Sequence, residues 1–303
     1  MLTLMNRFFS LLGVYFCTLI AYLPFPILYL ISDFLFLIIY HLVGYRRKVA
    51  RENIRKSFPN YTDAQRKKIE IEFYHHLCDT ILETTKLISF TNKEIKKRVK
   101  LKNSERFFEL IKEGRNISIV FWHYYNWEWL VAAVPVYSPV KIFGIYKPLT
   151  NKAFDKMFFD MRSKHGMHPF PMQTAMRSLI KNSNEQFGVV IIADQTPSNI
   201  ETSYWANFLN QPTPIFLGTE KISEHFDTAV VFVDVNKVKR GYLEIEFVTL
   251  TDSTKGLKEY EITELHTRFL EKRIIEKPAF WLWSHRRWKH KPTQAILEKY
   301  NLI

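Results

Sequence analysis

Residues 117–131, which read ISIVFWHYYNWEWLV, decide how the chain is expected to fold. The stretch begins as a β-branched apolar run, which is typical of a buried strand, and it continues into a group of aromatic residues. His123 stands just after the run, beyond the carboxyl end of the predicted strand. In open α/β sheets that edge is where ligands bind. The stretch therefore predicts a sheet and also the place of a site on it.

A second ionisable residue, Glu128, lies five positions after His123. Asn126 is a suitable N-cap for the next helix, which places Glu128 in the first helical turn. A turn can bring one imidazole nitrogen to the Glu128 carboxylate and leave the other nitrogen as a base. The aromatic neighbours would exclude water and suit an apolar substrate. From this pattern, a catalytic His123 and a hydrogen-bonded structural histidine are both open.

The spacing between the two residues is not specific by itself. About one His-x4-Asp/Glu match is expected by chance in a chain of this composition. The sequence contains a further match, His266 with Glu271, inside an amphipathic helix pattern. Residues at i and i+5 of a helix point about 140° apart, so we expect His266 on a solvated helix face. The strand end and the aromatic enclosure distinguish His123 from this second match.

The rest of the chain alternates predicted strands and helices. NKVKRG (residues 236–241) is a hairpin signal with Gly241 at the turn. A helix is expected to open at Thr62, with Gln65 in capping-box spacing, and to run to about Ser89. The alternation predicts an α/β fold with a mixed, mostly parallel sheet flanked by helices. The predicted strands are 117–122, 140–146, 189–194, 228–235 and 242–249, and the predicted helices that follow the first strand are 127–134, 152–164, 173–182, 218–226 and 259–275.

The N-terminal region is apolar. Asp33 is the only formally charged residue in residues 8–43, and Pro24 and Pro26 divide this run into two halves. Each half is slightly shorter than the roughly 20 apolar residues needed to cross a bilayer. One tilted, kinked span and two shallow apolar helices are both compatible with this pattern.

The charge of the chain indicates an acidic partner. Lys and Arg number 43 against 30 Asp and Glu, which gives a formal net charge of +13. Such a charge favours nucleic acid, an anionic membrane surface or an acidic protein as the partner. Basic residues in YRRKVARENIRK (residues 45–56) follow the apolar run, as they do on the cytoplasmic side of a membrane segment. Because no nucleic-acid-binding motif is present, we expect residues 1–45 to be a membrane-anchoring helical segment and residues 46–303 to be a separate domain.

The cysteines and histidines show no metal-ligand spacing. Cys17 lies in the apolar run and Cys78 in a predicted helix, and reduced thiols are expected for both. His75 and His76 are expected on a helix surface, without the partner set that a metal needs. No serine or cysteine stands in a nucleophile elbow. The sequence therefore predicts neither a metal nor a cofactor.

HYYNWEW (residues 123–129) resembles the His-x4-Asp/Glu box of the lysophospholipid acyltransferase superfamily, and especially that of the lipid A biosynthesis acyltransferases, the lauroyl and myristoyl transferase branch. The resemblance continues through most of residues 45–290, in the order of the family's motifs. Further similar segments are YRRKVARENIRKSFP (45–59), IYKPLTNKAFDKMFFDMRSKHG (145–166), IIADQTP (191–197), WANFLNQPTPIFLGTEKIS (205–223) and PAFWLWSHRRWK (278–289).

The resemblance implies an acyl transfer and roles for five residues. A fatty acyl chain would pass from acyl carrier protein, or from coenzyme A, to a lipid hydroxyl at the cytoplasmic face of the inner membrane. By the same resemblance, His123 is the general base and Glu128 supports its imidazolium. Arg162 is similar to the family's arginine, which can pair with Asp194 or meet substrate phosphate. Lys147 stands where many members carry arginine, and with Arg162 and Asp194 it is expected to bind substrate.

Three functions are open at this stage. The first is a membrane-bound acyltransferase of the lipid A type. The second is a glycerolipid, lysophospholipid or other lipid O-acyltransferase that uses acyl carrier protein or coenzyme A. The third is a non-enzymatic basic protein that binds membranes. Basic residues at 46–48 and 286–291 are candidates for docking the acidic acyl carrier protein, and the tryptophans at 281, 283 and 288 are expected either at the membrane interface or in the core.

Overall fold

The computed structural model describes residues 2–197 and 199–302, with side-chain burial described from residue 6 onwards. A seven-stranded sheet lies at the centre, and a two-stranded hairpin lies beside it. The strands are β1 (Val99–Lys102), β2 (Ile117–Phe121), β3 (Lys141–Tyr146), β4 (Met167–Pro171), β5 (Phe187–Ile192), β6 (Tyr204–Phe208), β7 (Gln211–Ile215), β8 (Ala229–Lys239) and β9 (Tyr242–Thr251).

The strand order in the large sheet is β1-β9-β8-β2-β5-β3-β4. All neighbouring pairs run parallel except β8 and β9, which form an antiparallel hairpin that turns at Gly241. Strand β2 lies in the middle of the order, and all five of its residues are buried. This burial on both faces explains why the strand is a continuous apolar run. The predicted mixed, mostly parallel sheet is confirmed.

Twelve α-helices surround the sheets in the described part of the chain. They are α1 (Leu2–Tyr22), α2 (Phe25–Phe36), α3 (Arg47–Ser57), α4 (Asp63–Thr85), α5 (Asn92–Arg98), α6 (Glu105–Lys112), α7 (Trp127–Tyr137), α8 (Lys152–Lys164), α9 (Ala175–Asn182), α10 (Gly218–Phe226), α11 (Glu261–Glu276) and α12 (Gln294–Lys299). Helix α4 begins after the predicted capping box, since Thr62 and Gln65 exchange both hydrogen bonds.

The predicted strands and helices are confirmed within a few residues at their ends, and the strands β1, β4, β6 and β7 were not predicted. Strand β1 is only four residues long and alternates apolar with basic residues. Strands β4 and β7 read MHPFP and QPTPI, and their prolines argue against a strand. Both strands lie at the edge of a sheet, where a missing backbone N–H is tolerated.

Two histidines that were expected on helix surfaces are buried instead. His266 lies on α11 with 1% of its surface exposed, and its solvated position was therefore a wrong prediction. His76, on α4, is 8% exposed and was wrongly placed as well. In both cases the helix is covered on more than one side, so that a polar position in the helical pattern does not face water.

The N-terminal region forms two helices rather than one continuous helix. The chain turns at Pro24, and α2 continues through a π-helical stretch, Leu37–Val43. Among the described residues one helix, Phe25–Val43, is long and apolar enough to cross a membrane by length and composition. Both α1 and α2 pack against the rest of the chain. The division at residue 45 stays a prediction.

Candidate active site

The candidate site lies where two adjacent strands end. Strands β2 and β5 are parallel neighbours, and Phe121 is in register with Ile192. His123 and Asp194 each follow two residues later, so the register itself places them side by side. The His123 Nδ1 atom lies 2.7 Å from Oδ1 of Asp194. This is the carboxyl edge at which the sequence predicted the site.

Asp194 is buried and held by three hydrogen bonds. Its Oδ2 accepts from the backbone N–H of His123 at 3.0 Å and from the indole Nε1 of Trp281 at 2.9 Å. Its Oδ1 accepts from Nδ1 of His123. Burial by itself would raise the pKa of Asp194, but the charge and hydrogen bonds of His123 and the hydrogen bond of Trp281 outweigh it and hold that pKa below its usual range. Asp194 is therefore a fixed anion behind the imidazole.

The other imidazole nitrogen of His123, Nε2, is not bound by Asp194. Because Nδ1 donates to the carboxylate, Nε2 carries the lone pair. The side-chain amide of Gln195 lies 3.1 Å from Nε2, and it donates a hydrogen bond in this tautomer. The indole of Trp127 meets the imidazole edge to face, with ring centroids 4.9 Å apart. The His123 side chain keeps 14% of its surface exposed, so a hydroxyl can reach Nε2 by displacing the Gln195 amide.

Glu128 has a different partner from the one expected. It was predicted to meet His123, but Arg162 takes both carboxylate oxygens, with Nη2 2.6 Å from Oε1 and Nε 3.0 Å from Oε2. The alternative pairing of Arg162 with Asp194 is likewise replaced. Burial alone would lower the pKa of Arg162, and the Glu128 carboxylate overcomes that effect and raises it. The two residues of the box thus belong to separate pairs: a hydrogen-bonded pair of His123 with Asp194, and an ion pair of Glu128 with Arg162.

The local backbone explains this separation. Asn126 caps α7 as predicted, since its Oδ1 accepts from the backbone N–H of Trp129 at 3.2 Å. Between the strand end and the cap, Tyr125 adopts a positive φ of 54°, which sharpens the turn. Its backbone N–H donates to the carbonyl of Phe280 at 3.0 Å. Glu128 then lies in the first turn of α7, where it reaches α8 and Arg162 instead of turning back to His123.

The C-terminal tryptophan segment belongs to the core and supports the site. Trp281 and Trp283 are almost completely buried, and Trp288 is 8% exposed, which favours the core over the membrane interface. Residue 281 pairs with Tyr124 in an isolated antiparallel bridge, and Leu282 donates its backbone N–H to the carbonyl of His123 at 3.2 Å. This segment therefore fixes both the backbone of the histidine and the carboxylate behind it.

Arg287 does not belong to the predicted basic surface. Only 2% of its surface is exposed, and its Nε and Nη1 have no hydrogen-bond partner among the described residues. It lines a small cavity together with Asp194 and His266. Burial lowers the pKa of Arg287 to about 10, although the Asp194 charge opposes this. Its positive charge thus faces the same interior space as the Asp194 carboxylate.

Lys147 lies in the segment that follows β3, at the same edge of the sheet as His123. Its side chain is exposed and makes no ion pair with the described residues. The structure thus brings His123 and Asp194 together, joins Glu128 to Arg162, and leaves Lys147 free at the edge.

Two participants were missed from sequence. Gln195 directly follows Asp194, and the in-register ends of β2 and β5 are the signal that could have identified the pair it joins. Trp281 was assigned to the membrane or the core without a role at the site. Within the described residues, no group of three or more His, Cys, Asp or Glu side chains is arranged to hold a metal ion.

Comparison with known proteins gives a consistent result. The family model described as bacterial lipid A biosynthesis acyltransferase matches residues 2–290. A lipid A biosynthesis acyltransferase of Haemophilus influenzae is 24% identical over 300 residues, which cover 96% of this chain and 93% of the relative. Two proteins of Escherichia coli are each 21% identical. The lipid A biosynthesis palmitoleoyltransferase matches over 89% of this chain and 87% of its own length, and the lipid A biosynthesis lauroyltransferase over 95% and 94%.

Proposed function

The chain belongs to the bacterial lipid A biosynthesis acyltransferase family and is an acyltransferase, and we propose that it acylates a lipid A precursor. In this proposal a fatty acyl chain passes from acyl carrier protein to a hydroxyl of the precursor. His123 acts as the general base. The observation that carries the proposal is the His123–Asp194 contact at the joined ends of β2 and β5. A histidine held by a buried carboxylate, with its second nitrogen reachable, is the arrangement that general base catalysis requires.

The proposed reaction proceeds in one displacement. Nε2 of His123 takes the proton of the acceptor hydroxyl as the oxygen attacks the thioester carbonyl. Asp194 stabilises the imidazolium that forms, as a carboxylate partner does in related acid–base sites. The tetrahedral intermediate then releases the thiolate, which receives the proton from Nε2. A lipid ester and a free thiol result, and His123 returns to its neutral form without a covalent acyl-enzyme.

Glu128 and Arg162 receive a positioning role in this proposal. Nε and Nη2 of Arg162 are bound to Glu128, and Nη1 has no hydrogen-bond partner among the described residues. A guanidinium fixed in this way offers its remaining donors to an anionic group such as a phosphate. Lys147, at the same edge of the sheet, supplies a second charge of the kind that binds phosphate. Both residues would hold the acceptor near Nε2.

The donor is proposed to dock on a basic surface. Nη1 of Arg46 lies 3.2 Å from the carbonyl oxygen of Ser284, so the two basic clusters of the sequence meet in the fold. Arg47 pairs with Glu70, and its charge is partly neutralised. The exposed members of the joint surface are Arg46, Lys48, Arg286, Lys289 and Lys291. Such a surface would speed the encounter with a strongly acidic protein.

The proposed location is the cytoplasmic face of the inner membrane. The helix Phe25–Val43 and the basic residues after it support membrane association. An acyl donor from the cytosol and a lipid acceptor from the bilayer would meet at that face.

An assay of the purified protein tests the function. Acyl carrier protein and coenzyme A thioesters are offered separately, with a lipid A precursor or a lysophospholipid as the acceptor, and the products are identified by mass spectrometry. We expect transfer from acyl carrier protein to the lipid A precursor. Transfer to the lysophospholipid alone would overturn the acceptor assignment, and turnover with coenzyme A alone would overturn the donor assignment.

The docking surface has its own test. Arg46→Glu and Lys289→Glu are assayed in neutral micelles, and Lys181→Glu on α9 serves as the matched control. We expect the KM for acyl carrier protein to rise with each reversal at the surface and to stay unchanged in the control. An unchanged KM across the series would reject the surface.

A further inference from the structure

Helix α2 and its π-helical extension have two dissimilar faces. Leu30, Phe34 and Leu37, at helical spacing, are each at least half exposed. Leu28, Phe36 and Tyr40 on the opposite side are buried. Soluble monomers rarely expose a continuous apolar surface of this kind, so the outer stripe is suited to an apolar environment.

The buried face of α2 is tied to α4 by polar contacts along its length. The Tyr29 hydroxyl donates to Glu83 at 2.7 Å, and the Ser32 hydroxyl donates to Asp79 at 2.7 Å. Further along, the Tyr40 hydroxyl donates to Glu70 at 3.1 Å. As the residue numbers rise along α2, those of the partners fall along α4. The two helices are therefore antiparallel neighbours over about three helical turns.

An arginine from the β8–β9 hairpin reinforces this attachment. Nη2 of Arg240 lies 2.6 Å from Oδ1 of Asp33 and 2.7 Å from Oδ1 of Asp79. Asp33 stands near the middle of Phe25–Val43, and about half of its side chain is exposed. The centre of the candidate span thus carries a partly exposed ion pair with the domain.

The preceding helix is attached to the same domain. Nζ of Lys86, after the end of α4, donates to the carbonyls of Ala21 and Leu23 at 2.6 Å and 2.8 Å. These are carbonyls at the carboxyl end of α1, which a helix leaves without an internal partner. The turn between α1 and α2 is therefore held beside a lysine of the domain.

A membrane-crossing α2 is incompatible with these contacts. If α2 crossed the hydrocarbon, the ion pair of Asp33 and Arg240 would lie near the bilayer centre, where charged side chains are strongly disfavoured. Helix α4, with its carboxylates, would be drawn in beside it. If α2 lies along the interface, the stripe enters lipid while the ion pair and α4 stay at the aqueous side.

We propose that α2 and its π-helical extension lie in the plane of one leaflet of an anionic bilayer, inserted through the outer stripe, with both ends on the side of the domain. The charges beside the apolar helices fit this partner, since Arg7 of α1 and Arg46 and Lys48 after α2 are exposed. Each basic residue near an anionic surface adds to the attraction. The inference rests on the proposed membrane location and specifies how the chain is seated there.

Helix α1, which leads into α2, also contacts the helix that carries Arg162. The Asn151 side chain donates to the hydroxyl of Ser10 at 2.7 Å, which joins α1 to the start of α8. Helix α8 carries Arg162, the partner of Glu128.

Cysteine labelling tests the proposal. Protein with Cys17→Ser, in which the remaining Cys78 is buried, is added from outside to sealed vesicles of phosphatidylethanolamine and phosphatidylglycerol. Pro24→Cys and Lys48→Cys report the two ends of α2, and Phe34→Cys reports the stripe. We expect a membrane-impermeant maleimide to label both ends and to leave position 34 protected. Labelling at position 24 only after the vesicles are opened would overturn the placement of α2 in one leaflet.

A charge inserted in the stripe gives an independent measurement. Phe34→Glu should weaken vesicle binding at least tenfold, whereas Ile275→Glu, at an exposed apolar position of α11, should bind as the parent does. Equal binding of both variants would overturn the stripe as the contact, and so would vesicle-free cross-linking between two copies at position 34. If the parent chain did not bind vesicles at all, the proposed membrane location would be wrong. The proposed acyl transfer is tested independently of this result, because it is measured in micelles.

Discussion

The two side-chain pairs that begin in the His-x4-Glu box differ in what they can do. In the first, Asp194 is buried and His123 keeps a reachable Nε2, so the pair can accept a proton. In the second, both oxygens of Glu128 are bound by Arg162, and a guanidinium stays charged at any working pH. The comparison separates a pair that can carry out proton transfer from a pair that can only hold charge and position.

The largest effect is expected from the first pair. His123→Ala removes the proposed base and should lower kcat for acyl transfer by about 10³- to 10⁴-fold. His225→Ala, at an exposed position of α10, is the matched control and should behave as the parent. Activity of the His123 variant within threefold of the parent, at equal protein level, would remove the mechanism.

The next largest effect on kcat is expected from Asp194, the partner of His123. Asp194→Asn keeps the shape of the side chain and removes its charge, so the imidazolium loses its stabilisation. We expect kcat to fall by about 10²-fold, with the KM for the acceptor changed much less. An unaffected kcat would contradict a role of Asp194 in proton transfer, because Asp194 would then be a structural residue only.

The second pair should show a smaller and different effect. Glu128→Gln leaves Arg162 without its carboxylate, which should raise the KM for the acceptor about tenfold and lower the free energy of unfolding by about 2 kcal/mol. Arg162→Lys should show the same pattern. Steady-state kinetics and thermal unfolding separate the contributions. A loss confined to kcat, as large as that of Asp194→Asn, would place Glu128 in the chemistry.

The last effect concerns stability and not turnover, and it comes from histidines outside the proposed proton transfer. Burial above all lowers the pKa of His266 and of His285 to about 4, although the Asp194 charge opposes it at both. The unfolded chain therefore binds more protons than the folded chain between pH 6.5 and 4. The stability that neutral burial provides is present above about pH 6.5 and is lost as pH falls, by up to about 1.4 kcal/mol per pH unit for each histidine.

His266→Gln should flatten this acid dependence by the share of one histidine, as measured by urea unfolding between pH 7 and 4. His225→Gln, at an exposed site, should leave the dependence unchanged. If His266→Gln left the slope as steep as in the parent, the buried-histidine account would be wrong.

The sequence predicts much of the fold because its patterns are local. The continuous apolar run of β2, the capping box at Thr62 and the turn at Gly241 each contain their own signal. Strands β4 and β7 were missed because proline obscures an edge strand. Their place depends on the assembled sheet, which no local pattern describes.

The candidate site divides in the same way. The position of His123 at a strand end follows from the run before it, and Asn126 was correctly predicted as a cap. The predicted partner of His123 was wrong, because a residue close in sequence was expected to be close in space. Asp194 reaches the histidine through the register of β2 and β5, over 71 residues of chain. Pairing across a sheet is set by strand order, which the sequence does not state directly.

The central claim is that His123 donates Nδ1–H to Asp194 and not to Glu128. Proton NMR of the histidine-labelled protein in micelles tests this directly, with the hydrogen-bonded Nδ1 proton assigned by its loss in His123→Gln. We expect this downfield signal to disappear or move strongly in Asp194→Asn and to stay in place in Glu128→Gln. A signal that persists in Asp194→Asn and shifts in Glu128→Gln would contradict it.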